Sequence, residues 1–102
     1  MKDLGNLQEA ELSTRKAIEL KPSLANAHSS LGNILRDLGN LQEAELSTRK
    51  AIELNLNLYN SHFLLGSILL GQKKLKDAEQ PLRKAIELKP NFAEAHSNLG
   101  NI

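Results

Sequence analysis

The sequence predicts an all-α protein, a solenoid of antiparallel helix pairs. Three observations predict it: a fixed internal period, helical spacing of apolar residues inside each half-period, and start and stop signals between them. Asp3 to Leu20 reads DLGNLQEAELSTRKAIEL, and Asp37 to Leu54 repeats the same eighteen residues at an offset of 34. A diverged third copy, GQKKLKDAEQPLRKAIELKP, runs from Gly71 to Pro90. The other half of the unit also recurs, at Ala27 to Ile34, Ser61 to Ile68 and Ala95 to Ile102. The 102 residues amount to three periods. A period of this length is the mark of a repeat array, in which each unit buries its apolar face against the next.

Taken in order, the chain opens with a partial unit (residues 1–24) holding only a second-type helix, expected over Leu7 to Leu20. Two full units follow, residues 25–58 and 59–92. Their first helices are expected over Leu24 to Leu38 and Leu58 to Leu70, their second helices over Leu41 to Leu54 and Leu75 to Leu88. A last partial unit, residues 93–102, carries a first-type helix from Phe92 to Ile102. In the first full unit Ala27, Leu31, Ile34, Leu35 and Leu38 fall at helical spacing, as do Leu41, Ala44, Ala51, Ile52 and Leu54. Asn6, Asn40 and Asn91, each followed three residues later by Glu, predict capping boxes. Gly5 and Gly39 stand where a helix end calls for a left-handed residue, and Pro22 and Pro90 close the second helices.

The small residues extend the pattern. Gly32, Gly66 and Gly100 lie inside first helices, where Gly costs about 1 kcal/mol against Ala. Together with Ala10, Ala44, Ala78 and Ala17, Ala51, Ala85 they predict close approach of neighbouring helix axes. The third copy breaks two local rules. Pro81 replaces Ser13 and Ser47 within a helix, which predicts strain of roughly 3 kcal/mol. Lys73 and Lys74 replace Gly39 and Asn40, so that turn is expected to depart from its counterpart, with Gly71 ending the helix early.

Composition narrows the classes of function. Thirteen Lys and Arg face twelve Asp and Glu, a net charge of +1, which argues against a nucleic-acid or membrane-surface binder. The absence of Cys removes disulfides and thiolate metal sites. No apolar run is long enough to span a bilayer, Met1 to Gln8 has no apolar signal-peptide core, and a cytoplasmic location is the expectation.

On the residues Leu31-Gly32, Ala44, Ala51 and a Pro at the unit's end, over the whole chain, the sequence resembles the tetratricopeptide repeat (TPR) family. The resemblance implies a right-handed superhelix whose first helices line a concave groove, and a protein–protein scaffold that binds peptides there. The family's usual aromatic early in the first helix is here His28, His62 or His96, and its bulky mid-second-helix residue is Thr14, Thr48 or Leu82, which predicts a thinner core. The Ser/Asn-Leu-Gly-Asn signature is similar to arrays of the O-linked N-acetylglucosamine transferase type. Their groove asparagine matches Asn98, but Ser30 and Leu64 hold that register in the other units, so the ladder is broken. Members that clamp a terminal carboxylate use Lys and Arg where this chain has Glu94 and Asn98, which argues against that clamp.

No catalytic residue, metal site or cofactor is expected. The three histidines recur at the repeat distance, too far apart for one ion whose ligands must sit about 2 Å away, and are read as rings packed at the helix-pair interface. No phosphate loop, dinucleotide fingerprint or nucleophile elbow is present. The pairs Arg15-Lys16, Arg49-Lys50 and Arg83-Lys84 are read as a solvated convex face. Glu11, Glu45 and Glu79 stand four residues before each Arg, and Glu19, Glu53 and Glu87 three residues after each Lys. RNA binding of the pentatricopeptide kind is disfavoured by the period and the low charge.

The groove implied by the resemblance is lined by Asn26, Ser29, Ser30, Asn33, Arg36 and Asp37. It continues through Asn60, Phe63, Leu64, Ser67 and Leu70 to Glu94, Ser97, Asn98 and Asn101. Asn and Ser can bond the backbone of an extended peptide whatever its sequence, and Phe63 and Leu64 are expected to anchor a side chain. The expected function is therefore a non-catalytic scaffold holding a peptide or helix in that groove. Two alternatives stand beside it. Neither end carries a capping helix, so the ends could complete one another head to tail, or the chain could be a substrate-recruiting fragment of a larger glycosyltransferase-like enzyme.

Overall fold

The structure is a computed structural model that describes residues 3–102. Six helices make up the described chain: α1 (Leu4–Leu20), α2 (Ala25–Asp37), α3 (Leu41–Leu54), α4 (Tyr59–Gly71), α5 (Leu75–Leu88) and α6 (Ala93–Gly100). The tightest pairs are α2 with α3 and α4 with α5. Looser contacts join α1 to α2, α3 to α4 and α5 to α6. Helices α2 and α4 also touch, so the first helices share one side of an all-α superhelix of antiparallel pairs measuring 36 × 27 × 21 Å.

Close packing at the small residues holds the pairs together. A Cβ on Gly32 would run into Thr48 Oγ1 and lie 3.2 Å from the Ala44 carbonyl; one on Gly66 would sit 2.7 Å from Leu82. Ala44, Ala51, Ala78 and Ala85 are fully buried against these contacts. Thr48 is buried with them and donates its hydroxyl to the Ala44 carbonyl at 2.8 Å, so its own oxygen is not stranded. Leu31, Leu35, Ala44, Leu64 and Ile68 form a core running from the first full unit into the second. Gly100 differs from its counterparts: a Cβ added there would meet nothing within 4 Å, because no helix of the described chain packs on that side of α6.

Helices α3 and α5 have the bounds their sequences predict. Helix α1 starts at Leu4, three residues before the expected Leu7. Its cap is Asp3, whose carboxylate accepts from Gly5 N at 3.1 Å, so Gly5 and Asn6 lie within the helix and the expected box at Asn6 does not form. The identical stretch Leu38-Gly39-Asn40 must instead reverse the chain after α2, with Gly39 at φ +86 and Asn40 Oδ1 accepting from Glu43 N. Before α6 the cap is Phe92 rather than Asn91, without a side-chain cap bond. Phe92 is buried beside Tyr59 and Phe63, and this aromatic packing fixes where the helix begins.

The turn at Lys73 does not depart from its counterpart. Lys73 takes φ +62, and Lys73 N and Lys74 N bond the carbonyls of Leu70 and Leu69 at 2.9 and 2.8 Å. Gly39 N and Asn40 N make the same bonds to Arg36 and Leu35. Packing of the flanking helices imposes the turn on a side chain that disfavours it by about 1–2 kcal/mol. Helix α4 accordingly ends at Gly71, the counterpart of Asp37, and no earlier. Pro81 sits inside α5 without ending it.

His62 is buried, His28 half-buried and His96 exposed, so the expected packing does not extend to the last ring, yet all three make the same bond. Nε2 of His28, His62 and His96 lies 2.9, 2.8 and 2.8 Å from the carbonyl of the residue six positions earlier, Pro22, Leu56 and Pro90. A carbonyl only accepts, so each ring donates from Nε2. Each ring thereby ties the loop between units to the helix that follows.

Candidate functional site

Between α2 and α4, on the side shared by the first helices, lies a hollow of about 580 Å³. Helix α2 contributes Asn26, Ser29, Ser30, Asn33 and Arg36, one or two turns apart along its exposed face. Helix α4 contributes Asn60, Phe63 and Leu64, and the loop before it Asn57. Eight of the fifteen expected groove residues thus meet here: Asn26, Ser29, Ser30, Asn33, Arg36, Asn60, Phe63 and Leu64. Ser67 and Asn98 form a separate pair, Asn98 Nδ2 donating to Ser67 Oγ at 3.5 Å. Glu94 on α6 and Asn101 just after it are exposed, outside the hollow.

Two expectations about the lining need correction. Leu64 is only 5% exposed and belongs to the core with Leu31, Leu35 and Ile68, so it forms a floor and not a free anchor. Phe63 is half-buried, its ring 4.7 Å from that of Phe92, which leaves one part of it to face the hollow. Ser61 is a lining residue that sequence reasoning missed. It is fully buried and donates to Ser29 Oγ at 3.0 Å, bridging α4 and α2 across the floor. The signal was present: Ser61 replaces Ala27 and Ala95 at one register, a polar residue where the others need only a small one.

The hollow is electrically quiet. Its one basic side chain, Arg36, donates to Asn33 Oδ1 at 2.7 Å and to Asp37 at 3.4 Å. The side-chain amides of Asn26 and Asn60 and the Ser30 hydroxyl line exposed positions, where they can give and accept hydrogen bonds. Beside them, Tyr59, Phe63 and Phe92 cluster with Lys89 Nζ 4.8 Å from the Tyr59 ring centroid.

The opposite face carries clefts between successive second helices, one of about 480 Å³ between α1 and α3 and one of about 680 Å³ between α3 and α5. The second is larger than the hollow, yet most of the charges lining it are paired within their own helices. The pairs Glu11–Arg15, Glu45–Arg49 and Glu79–Arg83 all close at 2.9 Å, and Lys16, Lys50 and Lys84 reach Glu19, Glu53 and Glu87 at 3.3–3.4 Å. Arg15 also crosses to Glu43 on α3 at 2.6 Å, and these bonds to Glu43 and Glu11 raise its pKa. Burial pushes the Glu45 carboxyl up. The Arg49 hydrogen bond, the Lys74 and Arg49 charges and a Gln72 hydrogen bond outweigh it, so the pKa ends below the ordinary carboxylate value.

The geometry defines a class, a solenoid of helix pairs with a polar concave hollow. Three family matches make the class specific: "Tetratricopeptide repeat" over residues 2–24 and again over 25–58, and "TPR repeat" over residues 66–102. The chain belongs to the tetratricopeptide-repeat family.

Among solved structures, the chain is similar to an O-GlcNAc transferase of Thermobaculum terrenum in mutant form, with 26% identity and TM-score 0.88. The match covers 93% of this chain but only 18% of the transferase. The first TPR of Spaghetti (RPAP3) bound to the HSP90 peptide SRMEEVD matches at 23% identity and TM-score 0.92, covering 95% of this chain and 77% of that one. MamA matches at 23% identity and TM-score 0.89, covering 99% and 63%. No curated protein matches by sequence. No helix of the described residues is long and apolar enough to cross a membrane.

Proposed function

We propose that this chain is a non-catalytic interaction module that holds an extended peptide in the hollow between α2 and α4. The observation that carries the reading is the hollow itself. Asn26, Ser30 and Asn60 present amide and hydroxyl groups at exposed positions, over a floor closed by Leu64 and the Ser61–Ser29 bond. Amides that both donate and accept can pair with a peptide main chain in any sequence, while the open part of Phe63 receives one apolar side chain. Arg36 is already engaged, so the peptide needs no particular charge and binding should vary little with salt. The same fold holds a peptide in the Spaghetti (RPAP3) structure, which supports the reading.

A peptide-array screen followed by calorimetry tests it. Asn26→Ala and Asn60→Ala change exposed side chains, so the fold stays intact while each removes about 1 kcal/mol of hydrogen bonding, roughly fivefold in affinity. Peptides whose affinity is untouched by both changes would place the binding surface elsewhere.

A further inference from the structure

The two clefts of the convex face are one cleft built twice, one period apart, and only the first is bridged. Arg15, Ile18 and Leu31 of the cleft between α1 and α3 return unchanged as Arg49, Ile52 and Leu65 of the cleft between α3 and α5. The facing wall changes. Asp77, Gln80 and Pro81 of α5 stand where α3 has Glu43, Leu46 and Ser47, and Lys76 joins them. The volume rises from about 480 to about 680 Å³.

Each replacement removes something that closes or smooths the first cleft. Glu43 draws Arg15 across from α1 at 2.6 Å. Asp77 is one methylene shorter and makes no ion pair among the described residues, while Arg49 bonds through Nε to Glu45 on its own helix. Gln80 puts an amide where Leu46 puts an apolar side chain that is 66% exposed. Pro81 has no N–H to give the Asp77 carbonyl four residues back, so that carbonyl keeps its acceptor on the side of α5 that lines the cleft. The fold requires none of these changes, since α3 has the same bounds one period earlier without them.

The result is a cation and an anion on facing walls, left apart, with apolar surface from Ile52, Leu65 and Pro81 around them. Arg49 and Lys76 carry N–H donors suited to a carboxylate. The Asp77 carboxylate, its free carbonyl and the Gln80 amide oxygen are acceptors suited to an ammonium. A ligand with one charge would answer only one wall. We propose that this cleft binds a small zwitterion, an α-amino acid with an apolar side chain, its carboxylate toward Arg49 and Lys76 and its ammonium toward Asp77 and Gln80. The site lies on the opposite face from the peptide hollow and does not depend on it.

An NMR titration of the 102-residue chain with leucine, 4-methylpentanoate and isoamylamine tests it, because the last two lack the ammonium and the carboxylate in turn. Leucine should shift the signals of Ile52, Leu65 and Gln80 and leave those of Ile18, Leu31 and Leu46 in place. It should bind at least about tenfold more tightly than either analogue, each of which forfeits one set of charge-assisted hydrogen bonds. Asp77→Glu, Gln80→Leu and Pro81→Ser together rebuild the wall of the first cleft, around which this chain already folds. The triple variant should keep its helicity by circular dichroism and lose about tenfold or more in leucine affinity. The proposal is overturned by an absence of shifts up to the solubility of leucine, or by equal shifts in both clefts. An analogue that binds as well as leucine, or a triple variant that binds it unchanged, overturns it too.

Discussion

The two full units solve one packing problem with different chemistry. In the first, Gly32 faces Thr48, Gly39 makes the turn, Asn40 caps α3 and Ser47 continues it. In the second, Gly66 faces Leu82, Lys73 makes the turn in a left-handed conformation, Lys74 provides no cap, and Pro81 interrupts the hydrogen-bond ladder. The helix bounds and turn hydrogen bonds are nonetheless the same, one period apart. The second unit is worse by every local rule and better by one tertiary rule, since Leu82 buries more apolar surface than Thr48. Shape in this repeat is dictated by packing, and local preference adjusts only its stability.

Substitutions at the paired positions probe that contrast. Leu82→Ala should cost roughly 3 kcal/mol by emptying a fully buried site. Thr48→Ala should cost about 1 kcal/mol, the worth of one buried hydrogen bond. Equal losses in urea denaturation would contradict the idea that Leu82 carries the second unit. Pro81→Ser restores the residue found at Ser47 and a donor for the Asp77 carbonyl, and should raise stability by about 2–3 kcal/mol. Lys73→Gly should add about 1 kcal/mol and Gly39→Lys remove about as much, read from the shift in thermal midpoint.

The smallest effect concerns acid. Glu45, held by Arg49 and Lys74, has a depressed pKa, so its contribution is full above its unfolded pKa and is lost as pH falls through the folded one. Glu45→Gln should therefore flatten the fall of the melting temperature on acidification while lowering it near neutrality.

Much of this was legible from the residues. The apolar stripes and terminators of α3 and α5 gave their bounds to the residue, because those helices lie between neighbours that enforce the pattern. Leu38-Gly39-Asn40 and Leu4-Gly5-Asn6 carry one sequence and two structures. In the described residues the first follows α2, which must reverse there, while the second lies inside α1, so no local rule could separate them. Eight lining residues of the hollow follow from the family resemblance carried over the repeat register. Leu64 was misplaced because an apolar residue at a groove register can turn inward, and Ser61 was missed because its partner, Ser29, comes from the preceding unit. The carbonyls that receive the histidine rings leave no trace in the sequence at all, since every residue has one.

Those ring-to-carbonyl bonds bear on how the array responds to a guest. The acceptor is main chain, so the side chain there is free to be Pro22, Leu56 or Pro90 without loosening the joint. A joint fixed in this way sets the splay between adjacent hairpins before any ligand arrives. For the peptide proposed above, walls held apart in this way would cost little affinity to bring into order.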